Sequence, residues 1–163
     1  MDTNSKSRRA TVLLVAAFII HNAEEAVFIC RYPVADLVAF VKPLSCSQFK
    51  VAVLFITLAV LAAVIVAVRT KNQEIYLFVT SSLASALVLN AFVPHIALAI
   101  YTLLYTPGLI SAILLMVPLG LLVLRINSRA YPNHKKMLLH AVSGLAIGYS
   151  IFILTTVLVK IFI

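Results

Sequence analysis

The sequence predicts an all-α integral membrane protein, a bundle of about five transmembrane helices. Three observations predict this fold class. Apolar residues make up 63% of the 163 residues and charged residues 11%, too few charges for the surface of a soluble domain. Several apolar runs reach the roughly 20 residues that a helix needs to cross a bilayer. The basic residues lie in short segments between these runs, where charges set membrane topology.

The first span follows a basic segment, as the core of a signal peptide does. No small-residue cleavage site comes after it, and hydrophobicity resumes beyond the polar stretch His21–Glu25. We therefore expect an uncleaved span. Five spans are predicted within a single transmembrane domain over residues 1–163, at roughly 10–30, 50–69, 75–100, 108–125 and 138–160.

The third and fourth spans each contain a proline, and a tight turn connects them. Pro94 lacks a backbone N–H and crowds the carbonyl of Asn90, four residues earlier, so a kink is expected there. Pro118 predicts a kink in the fourth span. Between these spans, the Pro-Gly pair that ends at Gly108 predicts a type II turn with a positive φ at the glycine.

The fifth span contains Gly144 and Gly148 in a GxxxG pattern, which is typical of close helix packing. The pattern leaves two alternatives open, packing within the chain or a homodimer through these glycines.

The basic residues predict orientation rather than nucleic-acid binding. The formal net charge is +8, but phosphate binding needs a continuous basic patch, and these charges are scattered. Positive charges in short loops favour the cytoplasmic side. We expect a cell (inner or plasma) membrane protein with its N-terminus cytoplasmic and its C-terminus outside. This orientation places nine basic residues inside and four outside: Lys6, Arg8, Arg9, Arg69, Lys71, Arg125, Arg129, Lys135 and Lys136 against Arg31, Lys42, Lys50 and Lys160.

Three polar residues inside the first span carry the functional prediction. His21, Glu24 and Glu25 lie within roughly a 100° arc of one helix face. Because a carboxylate in hydrocarbon costs a few kcal/mol, all three should face the bundle interior. Two adjacent acids need a cation, a shared proton or a basic partner, and no Lys or Arg lies at comparable depth. The alternatives are a metal site, a carboxyl that keeps its proton, or a polar knot that fixes helix packing.

The third span offers a partner for that face. Asn90 should reach roughly the depth of Glu24 and Glu25, with His95 nearer the outer surface. In an ideal helix the two point about 140° apart, and the kink could narrow this angle. His95 is either a metal ligand or an interfacial hydrogen-bonded histidine. Tyr105 is a candidate to border a site that opens outward.

These stretches resemble the prokaryotic HXXEE-motif membrane proteins. The resemblance rests on His21-Asn-Ala-Glu24-Glu25, on the stretch from Asn90 to His95 and on Tyr105-Thr-Pro-Gly108, and it covers roughly residues 12–125. It implies a metal-dependent membrane enzyme with matching positions His21, Glu24, Glu25, Asn90 and His95, and it does not imply a substrate.

Two functions remain open. In the first, an enzyme holds a divalent metal such as Zn²⁺ through His21, Glu24, Glu25 and His95, with Glu24 and Glu25 as catalytic groups and Asn90 and Tyr105 in support. It would be a hydrolase or would modify a lipid or isoprenoid, since the site lies in the outer half of the bilayer among membrane lipids. In the second, a small transporter couples to protons or cations, because intramembrane acids and Pro-broken helices also line ion pathways.

The two cysteines, Cys30 and Cys46, predict a disulfide. Both lie in the segment between the first two spans, which the charge count places outside, where disulfides persist. The alternative is that Cys30 is a small apolar residue at a helix end and Cys46 an ordinary thiol.

Overall fold

All regular structure that the computed structural model describes, over residues 3–31 and 44–163, is helical. Within these residues, five helices are long and apolar enough to cross a membrane by length and composition, which confirms the predicted number. Lys42, one of the four basic residues expected outside, lies beyond the described residues. The helices are α1 (Thr3–Phe28), α2 (Cys46–Arg69), α3 (Gln73–Thr102), α4 (Leu109–Ser128) and α5 (His134–Phe162).

The five helices close into a ring. α1 packs between α2 and α4, α3 packs between α4 and α5, and α2 completes the ring against α5. The core lies where α1, α3 and α4 meet, around the buried side chains of Leu14, Leu87 and Met116. Large apolar side chains cover the outside, among them Leu58 and Ile153. An exposed apolar surface of this extent suits contact with lipid chains better than contact with water.

Two π-helical segments interrupt the helices that approach the candidate site. Ala91–Ala97 interrupts α3 and contains Pro94, and Ala112–Met116 interrupts α4 just before Pro118. The sequence predicted kinks at both prolines; the structure has a widened turn at or directly before each one. The two segments lie on either side of the tight turn at Gly108. Because π-helical turns are frequent at functional sites, this end of the bundle is the expected place of the candidate site.

The opposite end, where α1, α3 and α5 begin, holds a buried hydrogen-bond network; we call it the basic end because Arg9, Arg69 and Lys136 lie there. Asn127 of α4 is at its centre. Its Oδ1 accepts from the Ser7 hydroxyl at 2.6 Å. Its Nδ2 donates to the hydroxyls of Thr80 at 2.9 Å and Ser81 at 3.0 Å. The amide thus ties α1, α3 and α4 together with both of its ends satisfied, which is a structural role.

The two glycines of the fifth span face α3 of the same chain. Gly144 is buried directly against Ser82, where a β-carbon would overlap the serine side chain, and a β-carbon on Gly148 would meet the Ala86 methyl at 3.7 Å. Packing within the chain therefore accounts for the GxxxG pattern. A homodimer through the same pair stays a prediction.

Candidate metal centre

His21, Glu25 and His95 converge between α1 and the π-helical segment of α3. Glu25 Oε1 lies 3.6 Å from His21 Nε2 and 3.3 Å from His95 Nε2. One ligand atom from each of the three side chains lies within 4.8 Å of the other two. Neighbouring donor atoms of a tetrahedral zinc site, with bonds of about 2.0–2.1 Å, are separated by roughly 3.4 Å. Two of the three separations already match that value.

The environment of His21 leaves one of its nitrogens available. Nδ1 lies 3.1 Å from the Gly108 carbonyl oxygen and 3.1 Å from the Ser111 hydroxyl. Because a carbonyl can only accept, this contact favours the tautomer with its proton on Nδ1. Nε2 is then a bare lone pair; it is buried and makes no hydrogen bond to any described residue. A second hydrogen bond that orients a ring in this way is the usual support of a metal-binding histidine.

His95 reaches the same point because α3 is π-helical there. In an α-helix, residues five apart point about 140° away from each other. The i→i+5 hydrogen bonds of a π-helix widen each turn and bring such residues towards one face. Asn90 Nδ2 accordingly lies 3.3 Å from His95 Nε2. The predicted support residue, Asn90, therefore contacts the His95 nitrogen that faces Glu25. His95 as a residue is 4% exposed.

Glu24 points elsewhere, although it is adjacent to Glu25. Its Oε1 accepts from the Tyr105 hydroxyl and from the Ile110 backbone N–H at 3.2 Å, and its Oε2 accepts from the Ser111 N–H at 2.9 Å. The two N–H groups, of Ile110 and Ser111, belong to the first turn of α4 and have no partner within the helix. A carboxylate is favoured at this position by hydrogen bonding and by the helix dipole. The structure thus brings Glu24 and Tyr105 together at the start of α4 and outside the three-residue cluster.

The Gly108 backbone packs directly against the three clustered side chains. Its φ of 88° confirms the predicted positive φ, and Leu109 N–H closes the turn on the Thr106 carbonyl at 3.0 Å. A β-carbon at Gly108 would lie 2.6 Å from His21 Cε1, 2.9 Å from His95 Cε1 and 3.0 Å from Glu25 Cγ. Only glycine fits, because the backbone itself packs on all three candidate ligands.

Sequence reasoning missed three contacts around this centre. It identified the turn at Gly108 but not its packing on the ligands, and it missed the Ser111 hydroxyl beside His21. It also missed Asn22, whose Nδ2 donates to the Thr57 hydroxyl at 2.6 Å and ties α1 to α2. Asn22 lies next to His21, so its polarity inside an apolar span was a usable signal; Ser111 carried none.

The two cysteines meet at the same end of the bundle. The structure joins Cys30, just after α1, to Cys46, the first residue of α2, in a disulfide with α-carbons 5.7 Å apart. A bridge needs a separation under about 7 Å. The bond connects the end of the helix that carries His21 and Glu25 to the start of its neighbour.

Comparison with known proteins adds a family but no activity. The family described as protein of unknown function with HXXEE motif matches residues 12–123. An uncharacterized protein of Bacillus subtilis (strain 168), YrkK, is 27% identical over 108 residues, which cover 66% of this chain and 68% of the relative. No solved structure matches. His21, Glu24 and Glu25 are the His and the two Glu residues of the motif. Because the family match covers most of its length, the chain belongs to the HXXEE-motif family.

Proposed function

We propose that this chain is a multi-pass membrane enzyme that binds a divalent metal ion through His21, Glu25 and His95. The observation that carries the proposal is the buried His21 Nε2, which has no hydrogen-bond partner among the described residues and lies 3.6 Å from Glu25 Oε1. Leaving such a group unpaired costs about 1–3 kcal/mol, and a bound cation would satisfy it. The proposed membrane is the cell (inner or plasma) membrane, with the N-terminus cytoplasmic and the C-terminus outside.

Two histidines and one carboxylate form a ligand set typical of catalytic zinc, in which a fourth position stays open for water. A metal in such a site lowers the pKa of its bound water and polarises a carbonyl or phosphoryl oxygen. The protein's part would be to orient the ligands: Gly108 O and Ser111 hold the His21 ring. The Asn90 amide, whose N–H can only donate to the lone pair of His95 Nε2, would have to release that nitrogen to the metal.

Glu24 has a positioning role in this proposal. The sequence alone made it a candidate ligand and catalytic group, but both of its oxygens are engaged at the start of α4. By holding the first turn of α4, Glu24 also holds the Gly108 turn that packs on the ligands. Glu25 is then the one carboxylate of the pair that is free to bind the metal.

The surroundings support an amphipathic substrate, such as a lipid or an isoprenoid. The side chains of Tyr101, Leu103 and Leu104 are exposed next to the Gly108 turn. Glu25 is 17% exposed, so the cluster reaches the surface at the carboxylate. Exposed apolar side chains beside a partly exposed carboxylate favour a molecule whose chain stays in lipid while its polar group reaches Glu25.

Elemental analysis of protein purified without added chelator tests the metal. We expect about one equivalent in the wild type, as for a site with an open water position, and a loss of metal in His21→Asn, Glu25→Gln and His95→Asn. Matched controls are His134→Asn and Glu74→Gln, which lie on the exposed surface of the basic end. Metal-free wild-type protein that stays metal-free after incubation with Zn²⁺ would contradict the proposal.

The second candidate is a proton- or cation-coupled transporter. The observation that favours it is the break in α3, where the π-helical segment brings His95 to an intramembrane carboxylate. Metal content and transport activity distinguish the two candidate functions. A tightly held metal that survives purification supports the enzyme, whereas tracer uptake into proteoliposomes that Glu25→Gln abolishes supports the transporter.

A further inference from the structure

A groove between α1 and α2 lies at the basic end of the bundle. It lies far from the metal centre, since α1 rises about 18 Å between Arg9 and His21. Arg8 and Arg9 line an adjoining groove that shares Val12 with the first. The wall of the first groove is apolar along its length and ends on one arginine, its members being Val12, Val15, Leu61, Val64, Ile65, Val68 and Arg69.

Two guanidinium groups without a described anionic partner lie at this end: Arg69 ends the wall of the first groove, and Arg9 lines the adjoining groove that meets it at Val12. Arg9 and Arg69 are exposed, and neither is in an ion pair with a carboxylate in the described part of the chain. Glu74, the described acid at this end, pairs with Lys136. Arg8 is engaged differently, with its guanidinium 5.8 Å from the centre of the Tyr76 ring. The first groove therefore combines an apolar wall with one positive charge at its end, and the adjoining groove adds a second.

We propose that this groove is a binding site for one anionic phospholipid, with an acyl chain along the wall between α1 and α2 and the phosphate between Arg9 and Arg69. Guanidinium groups match phosphate oxygens in a bidentate geometry. Basic pockets between membrane helices are suited to anionic headgroups. A zwitterionic lipid has the same chains, but its own cation offsets the attraction. The proposal rests on membrane residence and is independent of the metal.

The test titrates the full-length, detergent-solubilised protein with phosphatidylglycerol and, separately, with phosphatidylcholine of the same acyl chains, counting bound lipids by native mass spectrometry. We expect one phosphatidylglycerol to bind in clear preference to phosphatidylcholine. In Arg9→Gln/Arg69→Gln its affinity should fall by about 25-fold, since each interfacial arginine contributes about fivefold. The matched control Arg31→Gln/Lys50→Gln removes two charges from the other end of the same two helices and should keep wild-type affinity.

A second pair of variants tests the apolar wall without changing charge. Ile65→Trp places a bulky ring in the groove, whereas Val66→Trp places it on the neighbouring exposed position that does not line the groove. The first should displace the lipid and the second should not, and this pair decides the matter if the arginine variant does not fold. Equal binding of the two lipids, or equal loss in both charge variants, would overturn the proposal. Protein recovered outside the membrane fraction would instead refute membrane residence.

Discussion

Glu24 and Glu25 are consecutive on α1, yet their carboxylates serve different parts of the structure. Glu25 Oε1 lies 3.3 Å from His95 Nε2, while Glu24 accepts the Ser111 backbone N–H at 2.9 Å. The two side chains diverge because consecutive residues on a helix point about 100° apart. One acid therefore meets α3 and the other meets the start of α4. This divergence explains how two adjacent acids are accommodated at one depth.

We predict that exchanging the two acids for glutamine has unequal effects on metal. Glu25→Gln removes the carboxylate that lies between the two histidines and should abolish stoichiometric metal. Glu24→Gln keeps one acceptor oxygen for the start of α4 and loses the other. Metal affinity should therefore fall by only about 10–100-fold, the usual cost of losing a supporting contact. Metal content after dialysis against graded chelator separates the two. Equal loss in both variants would contradict the division of roles.

Gly108→Ala should damage both the fold and the metal centre. Its positive φ disfavours alanine by roughly 1–2 kcal/mol, and the added methyl would press on His21, His95 and Glu25. We expect a lower unfolding temperature together with loss of metal. The matched control is Gly148→Ala, where the new methyl meets Ala86 at an ordinary 3.7 Å. Its thermal unfolding and metal content should stay close to wild type.

The sequence predicts the helices well because lipid-crossing length and apolarity are local properties. All five apolar helices appear, and the positive φ at Gly108 follows from a Pro-Gly pair alone. The approach of Asn90 and His95 was harder to predict. An α-helical geometry separates them, and the π-helical turn that joins them depends on how α3 packs around Pro94.

The division between Glu24 and Glu25 could not be predicted from α1 by itself. Glu24 lies three residues after His21 and Glu25 four, so both are on its face. Which one turns to the histidines depends on α4, whose first N–H groups capture Glu24. That helix starts more than 80 positions later in the chain, and no pattern near His21 encodes its placement.

The polar network at the basic end should contribute to stability and not to metal binding. Asn127→Ala would leave the buried hydroxyls of Ser7, Thr80 and Ser81 without their amide partner. Unsatisfied buried groups cost about 1–3 kcal/mol. We expect a lower midpoint in thermal unfolding with metal content unchanged. A loss of metal in Asn127→Ala that matches the loss in Glu25→Gln would show that metal content merely reports bundle integrity.

The last prediction concerns the bond between Cys30 and Cys46. Denatured, non-reduced protein from an oxidising compartment should show no free thiol, because the two α-carbons lie 5.7 Å apart at the ends of α1 and α2. Cys30→Ser/Cys46→Ser should lose roughly 3 kcal/mol of stability, the chain-entropy cost of opening a loop of this size. Metal should be retained with weaker affinity, since the bond restrains the end of α1 that carries Glu25. Two titratable thiols in the wild type would rule out the bridge, and they would also count against an outward-facing loop, since disulfides persist outside the cytosol.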